Sequence, residues 1–384
     1  MRKKFLCLMM SLTFVLSAQV TSAFADDGTA DKSSTENSAS VTYNSNDAPD
    51  AAFFDKHKAA VLREELAESG VQVSDSLSLD QTIQAALQKK PRSSAALEDV
   101  QNIQDLEMIY LRDDGKVFSS EKGYIGQAEL ESQSSELNSS PQGTVSPLSQ
   151  TNPTPDDIHG GTSGAFERRQ LNFSGFDGII SNFTIPTLSS LGDGENPYMY
   201  YGFDSDSVNV ASEAGYMWQK GDGVSTFPRW KPYIRVAVNG SSSWKYGTES
   251  YVKHDGDVVN NVKSYLKKAS STDSTYTLYF IVGATQVLLA DSKLTSLSGV
   301  AVKRVTSIAV DVGKFKNGNE IVGKSMNARF DNLQVSLSNS DYYYPWSNYT
   351  EYKYWNTTNG KWYGTIDCTS SYIHRSNGAI SIYR

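Results

Sequence analysis

The side chains best placed to do chemistry in this 384-residue chain are three carboxylates, Glu213, Glu249 and Asp257. Two carboxyl groups facing each other across a groove can cleave a glycosidic bond, one as acid and the other as base or nucleophile. A single strand would present such a pair at a spacing of two, because alternate side chains share a face. No Glu-x-Asp-x-x-Glu run occurs, so these candidate catalytic residues have to be gathered from different elements. His254, beside Asp255 and Asp257, forms the richest titratable cluster and reads either as an acid/base site or as a solvated loop. The four histidines, at 57, 159, 254 and 374, are not spaced as a metal pair. Nucleophile-elbow, zinc, phosphate-loop and dinucleotide motifs do not occur.

Asp204 with Asp206, and Asp255 with Asp257, each offer oxygen ligands two residues apart, a spacing suited to a hard cation such as Ca2+. Neither pair makes an EF-hand loop, and Asp and Ser are also ordinary turn residues. The densest binding signal is aromatic: ten Tyr or Trp fall between 342 and 363. Trp346, Tyr349, Tyr352, Tyr354, Trp355, Trp362 and Tyr363 are the candidate ligand-binding residues among them. Rings with a polar edge stack on the apolar faces of sugars while their OH and NH groups hydrogen-bond. Asn348, Glu351, Asn356 and Asn359 interleave with the rings, which favours an at least partly exposed surface, since a sealed core would have to satisfy each polar group.

The elements that must position these residues follow from composition. Arg2, Lys3 and Lys4, the apolar run Phe5 to Leu16, and Ala23, Phe24 and Ala25 fit a secretory signal peptide, residues 1–25, cut after Ala25. The apolar run is too short to span a bilayer, so the expectation is an exported protein, secreted to the extracellular side and not membrane-embedded. Removing the three leader cations leaves 32 basic against 43 acidic residues, a net charge near −11. That balance, with no basic run after Lys4, argues against nucleic acid as a partner. Cys368 is then the sole remaining cysteine, so no intramolecular disulfide can form and the hydrophobic core must hold the fold alone. With His374 six residues on, it reads more simply as a small buried hydrophobe than as a nucleophile.

Residues 26–50 are Asp, Ser, Thr, Asn, Ala and Gly with few large apolar groups, a disordered-tail composition. Over 51–127 a small α+β module is expected. Phe54, Val61, Leu62 and Leu66 share one helical face, and Leu79, Ile83, Ala86 and Leu87 a second, with Ser78 or Asp80 as cap. A third helical run covers 95–104, and a hairpin turns at Asp114 and Gly115. This module reads either as a pro-region or as a permanent domain. Residues 128–158, with Pro141, Pro147, Pro153 and Pro155, have linker composition. The remainder, 160–384, carries all six Trp and 19 of 22 Tyr. Eight strand-like runs are expected there: 178–185, 198–203, 214–219, 233–238, 258–266, 275–289, 298–312 and 328–337. Such spacing without helical periodicity predicts a mainly β fold of the jelly-roll sandwich kind.

The run Ala328 to Ser336, with Asp331 and Asn332 before an alternating strand, resembles the closing strand of concanavalin A-like sandwiches. Glu213-Ala214-Gly215, then Phe227 to Tyr233, then Gly256-Asp257 is similar in order to the motifs of the eqolisin glutamic peptidases, which share that fold. In eqolisins a Gln precedes x-Gly and a Glu stands beside a Trp and a Pro, the pair that activates water and stabilises the oxyanion. Here Glu213 takes the place of the Gln, while the Trp-Pro region carries Arg229 and Lys231. The resemblance therefore implies the fold without the catalytic pair, because a cation cannot act as the general base. Residues 160–384 also resemble the exported bacterial YrpD-like family, which implies export and fold and no defined activity.

Two function classes remain. One is an exported, non-catalytic sandwich that binds a glycan or cell-wall polymer through C-terminal aromatics. The other is an extracellular hydrolase or lyase, cleaving polysaccharide or peptide, that uses Glu213 with Glu249 or Asp257.

Overall fold

In the computed structural model the described residues are 48–68, 71–89, 102–112, 114–132, 164–205, 208–221, 228–238, 241–247, 251–282, 286–310, 321–338, 342–351, 354–356, 361–363, 372–376 and 379–383. Two helices come first, α1 (Ala51–Glu68) and α2 (Leu79–Lys89). The first strands are β1 (Glu107–Leu111), β2 (Lys116–Ser119), β3 (Gly123–Gln127), β4 (Glu129–Ser132), β5 (Gly164–Gln170), β6 (Phe176–Thr184), β7 (Thr187–Ser189) and β8 (Glu195–Ser205). Then come β9 (Val210–Gln219), β10 (Arg229–Val238), β11 (Ser241–Tyr246), β12 (Val258–Lys267), β13 (Thr277–Val282), β14 (Gln286–Asp291), β15 (Val300–Val310) and β16 (Lys324–Leu337). The last are β17 (Tyr343–Pro345), β18 (Tyr354–Asn356), β19 (Lys361–Tyr363), β20 (Tyr372–Ser376) and β21 (Ala379–Tyr383).

The protein is mainly β and is built on two large sheets. The first runs β20-β21-β16-β6-β12-β13-β14-β1-β2-β3, with β7 and β17 also paired to β16; the second runs β4-β11-β10-β9-β8-β15-β5. Alternation along each strand decides what lies between them. Ile179 and Phe183 of β6, Leu278 and Phe280 of β13 and Leu288 of β14 meet Met199, Tyr201 and Phe203 of β8, Tyr216 of β9 and Trp230 and Ile234 of β10 in one core. Each large apolar side chain buried this way contributes about 1.5–3 kcal/mol. The expected strand over 275–289 is instead a hairpin, β13 paired with β14 in antiparallel register. A flat apolar sequence run cannot reveal such a break, since both strands are buried on both faces.

Strand pairing ties the segment expected as a module, 51–127, to the sheets. β1 lies parallel to β14, from Glu107 opposite Gln286 to Leu111 opposite Ala290, so β1–β3 continue the first sheet. β4, inside the expected linker, pairs with β11 at the edge of the second sheet. All described residues belong to one compact unit, Asn46–Arg384. α1 lies on the outer face of the first sheet. Its His57 Nδ1 is 2.6 Å from the Tyr279 hydroxyl, Lys263 Nζ donates to Glu65 at 2.7 Å, and Lys267 Nζ donates to Glu64 at 2.6 Å. Ser78 caps α2 reciprocally with Gln81: Gln81 N donates to Ser78 Oγ at 3.3 Å and Ser78 N to Gln81 Oε1 at 3.0 Å. The expected signal peptide, residues 26–47 of the tail, 133–158 of the linker and 95–101 of the third helical run lie outside the described residues.

Candidate functional site

Beyond the cover of α1, the outer face of the first sheet is open over β12, β6, β16 and β17. There it forms a shallow groove of about 660 Å³. Its polar lining comes from Ser181, Asn182, Asn261, Asn332 and Gln334, and its rings from Tyr342 and Tyr343. Two β-bulges build it. The register of β12 on β6 shifts between Val259 and Val262, and that of β16 on β6 shifts between Asp331 and Gln334. A bulge inserts an extra residue and re-aims its side chain. Asn261 and Asn332 are the residues concerned, at φ 53° and 57°. Asn tolerates this left-handed region, whereas a β-branched residue does not.

The bulge in β12 is anchored from the opposite sheet. Tyr201 of β8 donates its hydroxyl to the Val262 carbonyl at 3.2 Å and shares a 2.5 Å hydrogen bond with Ser181. Burial drives the Tyr201 phenol far above its ordinary pKa, so it stays a neutral donor. On the groove side, Asn261 N donates to Asn182 Oδ1 at 2.9 Å, which orients that amide and leaves its NH2 group as donor. No hydrogen bond from another described residue engages the side-chain amides of Asn261, Asn332 or Gln334.

Tyr343 forms the wall through a missing side chain. Tyr343, Ser336, Gly178 and Tyr265 are aligned across β17, β16, β6 and β12. A Cβ at Gly178 would lie 2.6 Å from the Tyr343 hydroxyl and 2.5 Å from Ser336 Oγ, so only glycine lets the ring pass over the sheet there. Ser336 Oγ donates to Asp177 in turn. Burial, opposed by that hydrogen bond, raises the Asp177 carboxyl from 3.8 to about 6. Tyr342 stands 65% exposed at the rim.

The candidates from sequence are distributed differently. Glu213 lies on the outer face of the second sheet, with Arg235 Nη1 at 3.2 Å and the Tyr233 hydroxyl donating at 3.4 Å. Its cross-strand partner is Arg235, while Arg229 faces Gln219. Glu249 lies outside the described residues, as do Asp206 and Tyr352. Asp204 is buried and accepts from Lys303 Nζ at 2.8 and 2.9 Å. Both of its oxygens accept from that one buried ammonium. Asp255 accepts from Trp230 Nε1 at 2.9 Å and Leu188 N at 2.8 Å, and Asp257 accepts from His254 N at 2.8 Å. These two carboxylates hold a turn together. Among the described residues no three His, Cys, Asp or Glu side chains gather as a metal site.

Trp346, expected on an open platform, is 7% exposed and sits in the core. Its indole N–H donates to Glu351 at 2.7 Å, and Glu351 also accepts from Arg169 at 2.9 Å. Tyr349 packs edge-on against Phe176 at 5.2 Å. Both rings therefore pack the end of the sheets. Tyr354, Trp355, Trp362 and Tyr363 fall on the β18–β19 pair, where Trp355 is the register partner of Trp362 and Tyr354 of Tyr363. The groove residues Asn182, Asn261, Asn332 and Gln334 were not legible as a site. A bulge has no signature in one sequence beyond a polar residue interrupting an alternating run.

Solved eqolisin peptidases match the chain loosely. Scytalido-glutamic peptidase bound to a peptide-based transition state analogue matches at 13% identity and TM-score 0.35, covering 57% of this chain and 98% of that one. SCP-B, an eqolisin solved with the tripeptide Ala-Ile-His, matches at 12% identity and TM-score 0.33, covering 57% and 98%. Likenesses of this size assign no activity. No family model matches the chain, so the YrpD-like resemblance gains no support, and no curated protein matches it. No described helix is long and apolar enough to cross a membrane.

Proposed function

We propose that this is an exported, non-catalytic protein whose two sheets form a concanavalin A-like jelly-roll sandwich, and that it binds a neutral glycan or cell-wall polymer in the groove over β6, β12 and β16. One observation carries the reading: in a chain of net charge −8, the described residues that line the groove present amides, a hydroxyl, tyrosines and apolar side chains, with no Asp, Glu, Lys, Arg or His among them. Amides both donate and accept, as sugar hydroxyls do, and tyrosine faces stack on pyranose rings. A charged ligand would meet no counter-charge. Hydrolysis by a carboxylate acid/base pair would need such groups in the groove, and its described lining residues supply none.

The test is a calorimetric titration of the purified protein with soluble neutral oligosaccharides, beside pull-downs on insoluble polysaccharides and cell-wall preparations that follow both protein depletion and sugar release. Binding without release, weakened by Tyr342→Ala and by Asn332→Gly, is the expected result. Release of soluble sugar would restore the hydrolase reading, and preference for a polyanion that survives both substitutions would move the ligand elsewhere.

A further inference from the structure

Strand register orders the groove over β6, β12 and β16 into rows. Beside the row in which the Tyr343 ring passes over Gly178 lies a second, made of the register partners Pro345 on β17, Gln334 on β16 and Ile180 on β6. Ile180 is half-buried and Pro345 exposed, so apolar surface stands on both sides of one half-buried side-chain amide. Across the sheet this row ends at Lys263 of β12, whose ammonium donates to Glu65 of α1 at 2.7 Å. The next residue of β6 on the same face, about 7 Å along the strand, is Asn182. Its register partner Asp331 is paired to Arg329 at 3.0 Å, and the bulge residue Asn332 follows. The Asn182 amide has a fixed sense: Oδ1 accepts from Asn261 N at 2.9 Å, so the NH2 group is left to donate.

Resting on the glycan reading above, we infer that the ligand is a chain of N-acetylated sugars, and that one acetamido group seats over Ile180 between Gln334 and Asn182. The acetamido carbonyl accepts from the Asn182 NH2 group, its N–H donates to Gln334 Oε1, and its methyl packs on Ile180. The sugar ring then lies toward Pro345 and the faces of Tyr342 and Tyr343. An acetamido group brings an acceptor, a donor and a methyl together, which matches an oriented donor, an amide able to accept and an apolar side chain in neighbouring positions. A hydroxyl in the same place would leave one amide unanswered and bring no apolar surface to Ile180.

The full chain is titrated by calorimetry with an N-acetylated chito-oligosaccharide and with the cello-oligosaccharide of equal length, which carries a hydroxyl in place of each acetamido group. Acetyl-trialanine amide serves as an uncharged peptide beside them. The N-acetylated oligomer should bind at least about tenfold more tightly than its hydroxyl counterpart. In saturation-transfer NMR its acetyl methyl protons should receive more saturation than any ring proton. Gln334→Leu should weaken the N-acetylated oligomer by roughly three- to tenfold and change the other by less than about twofold, with the melting temperature unmoved. The methyl signal is read on the unaltered chain and stands even where that variant does not fold. Equal or weaker binding of the N-acetylated oligomer, a methyl no more saturated than the ring, or a folded Gln334→Leu protein of unchanged affinity overturns the acetamido seat and leaves the neutral-glycan groove standing. Binding of neither oligomer overturns both, and so does tightest binding of the peptide, which would give the amides to a peptide backbone.

Discussion

His57 sits on the buried face of α1, 3% exposed, and burial followed by the nearby Lys56 charge lowers its pKa from 6.5 to about 3. Between those values the unfolded chain binds a proton that the native chain refuses, so stability falls as pH drops from about 6.5 toward 3, by about 1.4 kcal/mol per pH step crossed. Asp177 acts with the opposite sign. Its native pKa of about 6 exceeds the ordinary 3.8, so the native state holds a proton longer and stability falls as pH rises from about 4 to 6. Urea denaturation across pH 4 to 6.5 should therefore show the two opposing each other. His57→Gln should leave a protein that gains stability on acidification through this window, and Asp177→Asn one that loses it; matching slopes in the two variants would refute the assignment. The bulge asparagines offer a second test at this scale. Asn261→Gly and Asn332→Gly keep the left-handed backbone, so thermal stability should change by less than about 1 kcal/mol while glycan affinity drops.

At the scale of elements, α1 is held by its buried face and not by its own propensity. Ala60 and Leu62 are fully buried, Ala59, Val61 and Leu66 nearly so, and Arg63 reaches Leu77 O at 3.2 Å and Ala269 O at 2.7 Å. Leu62→Ala should cost about 2–5 kcal/mol in denaturant unfolding, against about 1 kcal/mol for Ser78→Ala at the cap of α2. Equal costs would mean that α1 is a surface accessory and not part of the packed structure. The bulges in β12 and β16 show why these elements set the site: a regular strand would place Asn261 and Asn332 in simple alternation, and at the register shifts both instead line the groove over β6.

For the whole molecule, the segment from α1 to β4 contributes strands to both sheets, through β1 on β14 and β4 on β11. A proteolytic cut between 133 and 163 should accordingly leave two pieces that co-elute in native size exclusion and separate only in denaturant. Release of the N-terminal piece from a still-folded 164–384 would show it to be a removable pro-region. The pairing predicts the opposite, since its loss would strip the edge from both sheets and uncover Tyr279, which meets His57, and Leu289, which faces Tyr110.

Several features were fixed by the chain's local chemistry. Turn residues between alternating apolar runs mark strands such as β6, β10 and β16, Ser78, one of two cap candidates, marks the start of α2, and Asp114 with Gly115 marks the β1–β2 turn, because each depends on neighbours within a few residues. Tertiary structure alone decided that β1 joins β14 across 179 residues of sequence, that Trp346 is core, that Glu213 faces Arg235, and that two interrupted strands set three asparagines around one groove. Those outcomes depend on which strands become neighbours, and pairing is selected by the shared burial of both sheets, a quantity that no single segment contains.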